Sequence, residues 1–155
     1  MKLLFICTHN ACRSILSEAI TRDIADDRIL VASAGSSPAG RVHPLTLQYL
    51  ELHGYKTAGL HSKGIDAVRS FEPDVVITVC DNAARESCPV WLGKATRVHW
   101  GLPDPSQGDA GDGPVAFTQV IGKIERRIRR LLGQSFETLD AGQLAALLET
   151  IGEQD

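Results

Sequence analysis

Residues 2–25 read KLLFICTHNACRSILSEAITRDIA, and the order of their parts decides the fold. The apolar run KLLFI predicts a strand over 2–6. From Ser14 to Ala25, residues Ile15, Leu16, Ala19, Ile20 and Ile24 recur at helical spacing and predict an amphipathic helix. The loop between them carries two cysteines and an arginine. A strand ending at Ile6, a short loop and a helix opening near Ser14 aim several backbone N–H groups into one concavity. The helix dipole adds positive potential there, so the loop is an anion site. Cys7 lies at its mouth, where the same field favours a thiolate. Arg13 offers a planar fork that matches the oxygens of a tetrahedral oxyanion. Cys7, five intervening residues, then Arg13 and Ser14 form a C-x5-R-S pattern in its required strand–loop–helix setting. The other reading of Cys7, a small apolar residue closing a buried strand, ignores that spacing.

Further strands are predicted at 29–35, 74–79 and 97–100, each short, rich in β-branched or aromatic residues and bounded by turn residues. A second helix is expected in HPLTLQYLELHG, with Pro44 in its first turn and Gly54 as its stop. A third, over 114–133, sets Val120, Ile121, Ile124, Ile128, Leu131 and Leu132 on one side. Its basic cluster RRIRR, 126–130, is expected to form a solvated face near the helix C-terminus, where cations suit the dipole. A last helix in AGQLAALLETIG is expected on the outside of the fold, and SQGDAGDG, 106–113, is expected to be a loop. The continuous apolar run DVVITV suits a strand buried on both faces, and strand–helix alternation suits a parallel sheet covered by helices. The fold class is therefore α/β.

The chain has 155 residues, enough for one domain with a proper core and too few for two comfortable ones. Its 16 basic and 19 acidic residues leave a net charge of -3, which offers no electrostatic reason to expect nucleic acid. No stretch reaches the ~18 apolar residues of a membrane span, and MKLLFIC runs into THNACRS rather than a small-residue cleavage site. The cytosol is the expected compartment. Cysteines there tend to be catalytic, redox-active or metal-binding. Cys80 and Cys88 lack the paired spacing of a zinc site, and His9, His43, His53, His61 and His99 show no ligand spacing, so no metal is expected and the histidines read as surface, turn or packing residues.

CTHNACRS resembles the phosphate-binding loop of the low-molecular-weight tyrosine phosphatases. The resemblance implies a three-layer fold, with a central four-stranded parallel sheet flanked by helices and the oxyanion loop after the first strand. It implies that Cys7 is the nucleophile, that Arg13 binds the oxyanion, that Ser14 hydrogen-bonds the thiolate, and that the oxyanion loop comprises Cys7, Thr8, His9, Asn10, Ala11, Cys12 and Arg13. The family's general acid lies in an Asp-Pro pair, and WGLPDPS supplies Asp104 and Pro105. Cys12 is expected to be structural, and Asn10 to fix the loop backbone through its side chain, an ordinary turn Asn being the other reading.

ITVCDNAARESCPVW places Cys80 at the carboxyl end of a predicted strand and Cys88 in the segment that follows. In a parallel sheet the strand C-termini share one edge, where ligands bind, so Cys7, Cys80 and Asp104 are expected together. A second thiolate beside a cysteine nucleophile permits chemistry that a phosphatase does not need. The array resembles the arsenate reductases of this phosphatase-like, thioredoxin-coupled type over about residues 1–132, with 133–155 a helical extension of the single domain. That resemblance implies a relay in which Cys7 attacks arsenate, Cys80 releases arsenite and Cys88 forms a Cys80/Cys88 disulfide. Phosphate and sulfate are the competing oxyanions, and an external thiol reductant, thioredoxin or glutathione with glutaredoxin, reopens the disulfide; no bound cofactor is expected.

In many such enzymes the last two cysteines stand one residue closer, which leaves the reductant open. Some members bind potassium through residues matching Asn10, Glu18 and Ser33 plus an Asp. Here HSKGID puts Lys63 at that position, so an ammonium paired with Glu18 is expected to replace the cation. Two other functions stay open on the residues alone. A tyrosine phosphatase is disfavoured because Ser106, not an aromatic residue, follows the Asp-Pro, while Tyr49 and Tyr55 are distant in sequence. An oxyanion-binding module without turnover needs no thiolate.

Overall fold

A computed structural model describes residues 1–86, 89–107 and 113–154. Four parallel strands, β1 (Lys2–Cys7), β2 (Leu30–Gly35), β3 (Val75–Thr78) and β4 (Thr96–His99), lie in the order β2-β1-β3-β4. The crossovers are helical: α1 (Arg13–Ile24), α2 (Pro44–Leu52) and a 3-10 stretch at Ile65–Phe71, then α3 (Asp81–Arg85) and a 3-10 turn at Val90–Leu92. After β4 come α4 (Gly113–Leu132), a 3-10 turn at Phe136–Thr138 and α5 (Ala141–Glu153). Element boundaries differ from the expected ones by a residue or two. The short helix α3 and the 3-10 stretch at 65–71 were not among the sequence expectations.

β1 and β3 are central, pairing Leu3 with Val75 through Ile6 with Thr78. Leu3, Leu4, Phe5, Val75, Val76 and Ile77 are buried, as continuous apolar runs covered on both faces require. α1 buries Ile15, Leu16, Ala19 and Ile20, and α4 buries Phe117, Val120, Ile121, Ile124, Ile128 and Leu131. α5 packs beside β4, where the Trp100 indole donates to Leu148 O at 2.8 Å and the Asp140 N-cap with Gln143 closes a capping box.

The basic cluster of α4 requires a correction. Arg126 and Arg129 are exposed, but Arg127 is only 3% exposed. Its guanidinium donates to Gly101 O at 3.4 Å and Gly152 O at 3.1 Å, and lies 5.8 Å from the centre of the Trp100 ring. Position 127 follows Ile124 by three and precedes Leu131 by four, so it falls on the apolar stripe. There it ties α4 to the chain after β4 and to the end of α5. Arg130 donates to Gln154 O at the surface.

Candidate active site

The loop from Cys7 to Arg13 is shaped by where its carbonyls go. Cys7 O, Thr8 O, His9 O and Ala11 O accept from the backbone N–H groups of Ser36, Ser37, Ala39 and His43, at 3.3, 2.8, 2.9 and 2.9 Å. Cys12 O accepts from Leu16 N as α1 begins. Turning the carbonyls outward aims the loop's N–H groups inward, which makes an anion nest at the helix N-terminus. Two backbone features permit it. Asn10 adopts a left-handed conformation, φ 47°, which asparagine tolerates better than most residues. Gly35, at the end of β2, lets the loop lie against the sheet: a Cβ there would sit 2.6 Å from Thr8 O and 2.9 Å from Asn10 N.

Cys7 is 4% exposed at the floor of an open cavity of about 280 Å³. Its sulfur accepts from Asn10 N at 3.2 Å and lies 2.8 Å from Ser14 Oγ. The cavity is also lined by Arg13, Cys12, Asp104, Ser106, Gln107, His9, Ala11, Ala39 and His43. Arg13 donates to Leu102 O at 3.1 Å, and its guanidinium stands 3.8 Å from Asp104. Asp104 in turn accepts from Ser106 N and Ser106 Oγ at 3.0 and 2.6 Å, so the Asp-Pro loop folds over the arginine. His43, read with the other histidines as a surface, turn or packing residue, caps α2 by accepting from Leu45 N while also lining the cavity. Its cavity position had no sequence signal, because only the fold brings residue 43 against the loop.

Behind the loop runs a chain of polar side chains. Asn10 Nδ2 donates to Ser14 Oγ at 2.7 Å and to Ser33 Oγ at 3.0 Å, while Lys63 N donates to Asn10 Oδ1 at 2.9 Å. Ser33 donates to Glu18 Oε1 at 2.5 Å. Lys63 Nζ reaches Glu18 Oε1 and Ser33 Oγ, both at 3.4 Å, and His61 O at 3.2 Å. The ammonium thus occupies the oxygens a potassium ion would need, and the residues present do not fit that ion. Among the described residues no group of three or more His, Cys, Asp or Glu is placed to hold a metal, and no helix is long and apolar enough to cross a membrane.

Cys12 occupies the N-cap position of α1 without a side-chain capping bond and is 7% exposed. Burial raises its thiol from the ordinary 9.0 to about 12. At neutral pH the Cys12 thiol stays protonated. Cys80, 3% exposed, lies at the same sheet edge as Cys7: its sulfur is 3.5 Å from Thr8 Oγ1 in the loop and accepts from Ala83 N at 3.4 Å as the N-cap of α3. Cys7, Cys12 and Cys80 are free thiols. Cys88, the third expected relay residue, lies outside the described residues.

A parallel α/β sheet carrying a buried cysteine in a nest-shaped loop at the first helix, with an arginine–aspartate pair above it, is the arrangement of a class of cysteine-dependent oxyanion-transfer enzymes. The chain belongs to the low molecular weight phosphotyrosine protein phosphatase family, whose model matches residues 2–144. It is 29% identical over 133 residues to a glutaredoxin arsenate reductase of Synechocystis sp., covering 86% of this chain and 97% of the relative. A solved arsenate reductase in the phosphate binding state is 28% identical with a TM-score of 0.70, covering 85% of this chain and 96% of that one. A thioredoxin-dependent arsenate reductase of Corynebacterium glutamicum is 33% identical with a TM-score of 0.63, covering 85% of this chain and 60% of that one.

Proposed function

We propose that this protein reduces arsenate to arsenite with its own thiols. The observation that carries the proposal is the second buried thiol at the loop, Cys80, in contact with Thr8, the residue that follows the nucleophile. The Cys7 thiolate attacks arsenic and an arsenate oxygen leaves as water, giving a thiol-bonded As(V) adduct. Arg13 and the loop N–H groups hold the remaining oxygens and offset their charge, and Asp104 protonates the departing oxygen. Cys80 then attacks the Cys7 sulfur. The sulfur–arsenic electron pair goes to arsenic, which departs as arsenite, and a Cys7/Cys80 disulfide remains. Cys88 attacks Cys80 and frees Cys7, leaving a Cys80/Cys88 disulfide for an external thiol reductant, a thioredoxin or glutathione with glutaredoxin, to reduce. Phosphate and sulfate share the shape and charge of arsenate and compete for the loop.

The deciding experiment treats the reduced protein with arsenate, blocks free thiols and maps disulfides by mass spectrometry. The relay yields Cys80/Cys88 in the wild type and traps Cys7/Cys80 in Cys88→Ser. Thiols that all stay free, alongside rapid hydrolysis of an aryl phosphate, would replace this reading with a tyrosine phosphatase acting through a Cys7 phosphocysteine.

A further inference from the structure

We propose that Ser106 is a positioning residue for the general acid: its hydroxyl clamps one oxygen of Asp104 and so turns the other towards Arg13 and the bound oxyanion. The inference rests on the part given to Asp104 in the relay proposed above. Residues 104–107 form a tight turn in which Gln107 N donates to Asp104 O at 3.3 Å. Asp at the first position and Pro at the second suit such a turn. Pro105 has no N–H, so the first backbone donor within reach of the Asp104 carboxylate is Ser106 N, which donates to Oδ1 at 3.0 Å. Any residue but proline at 106 would supply that bond. The serine side chain adds a second one: its Oγ donates to the same Oδ1 at 2.6 Å, a length typical of a hydroxyl on a carboxylate.

Both donors fall on Oδ1, which fixes the plane of the carboxyl. Oδ2 is the oxygen left facing Arg13, 3.8 Å from its Nη2, and Arg13, Asp104 and Ser106 all line the cavity that holds Cys7. Arg13 is itself held by Leu102 O at 3.1 Å, so the acid and the cation are set against each other from one short stretch of chain. An oxygen that already accepts two hydrogen bonds is the poorer place for a proton, so the proton to be given resides on Oδ2. In the step concerned, the Cys7 thiolate supplies the electron pair of a new sulfur–arsenic bond. The bond from arsenic to the departing hydroxyl breaks, its electron pair stays on that oxygen, and the Oδ2 proton completes a water molecule. No oxidant or reductant takes part. Asp104 is left as a carboxylate whose charge spreads to Oδ1, where the two hydrogen bonds strengthen as that charge develops. Ser106 therefore acts on the limiting rate and not on the binding of the oxyanion.

The test uses the full chain carrying Cys88→Ser, which traps Cys7/Cys80. The reduced protein is mixed with arsenate over a range of concentrations and quenched with a thiol-blocking reagent. Counting the disulfide by mass spectrometry gives a limiting rate and a half-saturating concentration. Ser106→Ala is expected to lower the limiting rate about tenfold, because a misaimed acid loses its reach, with half-saturation within twofold. Ser106→Thr keeps the hydroxyl and stays within about threefold of the parent. Asp104→Asn lowers the rate ~100-fold, and Ser106→Ala added to it costs less than a further twofold, since no acid is left to position. Alkylation of Cys7 by iodoacetamide, which needs no acid, stays within twofold in Ser106→Ala. A limiting rate within twofold of the parent in Ser106→Ala, a threonine variant as slow as the alanine one, or the same tenfold loss on top of Asp104→Asn overturns the assignment and leaves the relay standing. A parent protein that forms no disulfide with arsenate overturns the relay instead. The same variants then hydrolyse phenyl phosphate, whose poor leaving group also needs an acid: a tenfold loss confined to proteins that keep Asp104 supports the assignment, and an equal loss without Asp104 overturns it.

Discussion

Ser14 Oγ lies 2.8 Å from the Cys7 sulfur and accepts a hydrogen bond from Asn10 Nδ2 at 2.7 Å. Because the amide occupies a lone pair of the serine oxygen, the Ser14 hydrogen is free to point at sulfur, and the Asn10 backbone N–H points there as well. The Cys7 sulfur thus sits between two donors whose orientation is set by one asparagine.

Ser14→Ala removes one of those donors. A hydrogen bond to a charged group contributes roughly 1.5–3 kcal/mol, so alkylation of Cys7 by iodoacetamide at pH 7 is expected to slow at least about tenfold. Peptide mapping separates Cys7 from Cys80. An unchanged rate would mean that Ser14 does not support the thiolate.

Lys63 and Glu18, each with a 12% exposed side chain, form a shielded pair behind the loop. Lys63→Ala leaves the Glu18 carboxylate without its cation and is expected to lower stability by about 3 kcal/mol in urea unfolding. With Lys63 in place, potassium and sodium at equal ionic strength are expected to give equal activity. A several-fold activation by potassium would show that the ammonium does not substitute for the ion.

Cys12 titrates far above an ordinary thiol because it is buried. The proton is held more tightly in the folded state than in the unfolded one, so the stability is fully present below about pH 9, is lost progressively above it, and is gone once pH passes about 12. Within that window wild type is expected to lose up to ~1.4 kcal/mol per pH unit more than Cys12→Ala. Urea midpoints of the two proteins at pH 8 and pH 10 measure the difference, and parallel pH dependences would refute it.

Arg127 joins α4 to the chain after β4 and to α5 through two carbonyls and the Trp100 ring. Arg127→Ala is expected to cost about 2–4 kcal/mol by stranding partly buried carbonyls and opening a gap where the buried side chain packed. The loss should appear as earlier amide exchange in α5, with Cys7 alkylation unchanged in the native protein. Protection of α5 equal to wild type would assign the helix another anchor.

The strand, the loop and the first helix were legible in residues 2–25 because period, cysteine–arginine spacing and helix start are all local properties. Asp104 was legible only in company, since an Asp-Pro by itself marks a turn. Arg127 was misread, and the cavity position of His43 went unseen, for one reason: a polar side chain declares its surroundings only when another element arrives beside it. α3 went unseen because its five residues carry too little periodicity. Its ends are held by Arg97 and His99, which come from a strand more than ten residues later.

The sequence by itself determined the α/β alternation and the strand–loop–helix order that carries Cys7 and Arg13, because each depends on side chains within a few residues of one another. The tertiary structure decided that Lys63 stands against Glu18 and Ser33, that Cys80 reaches Thr8, and that Arg97 and Arg127 serve helix ends instead of solvent. Those contacts join residues 25 to 72 positions apart, or strand to helix across the sheet edge. Only the parallel order β2-β1-β3-β4 brings them within hydrogen-bonding range.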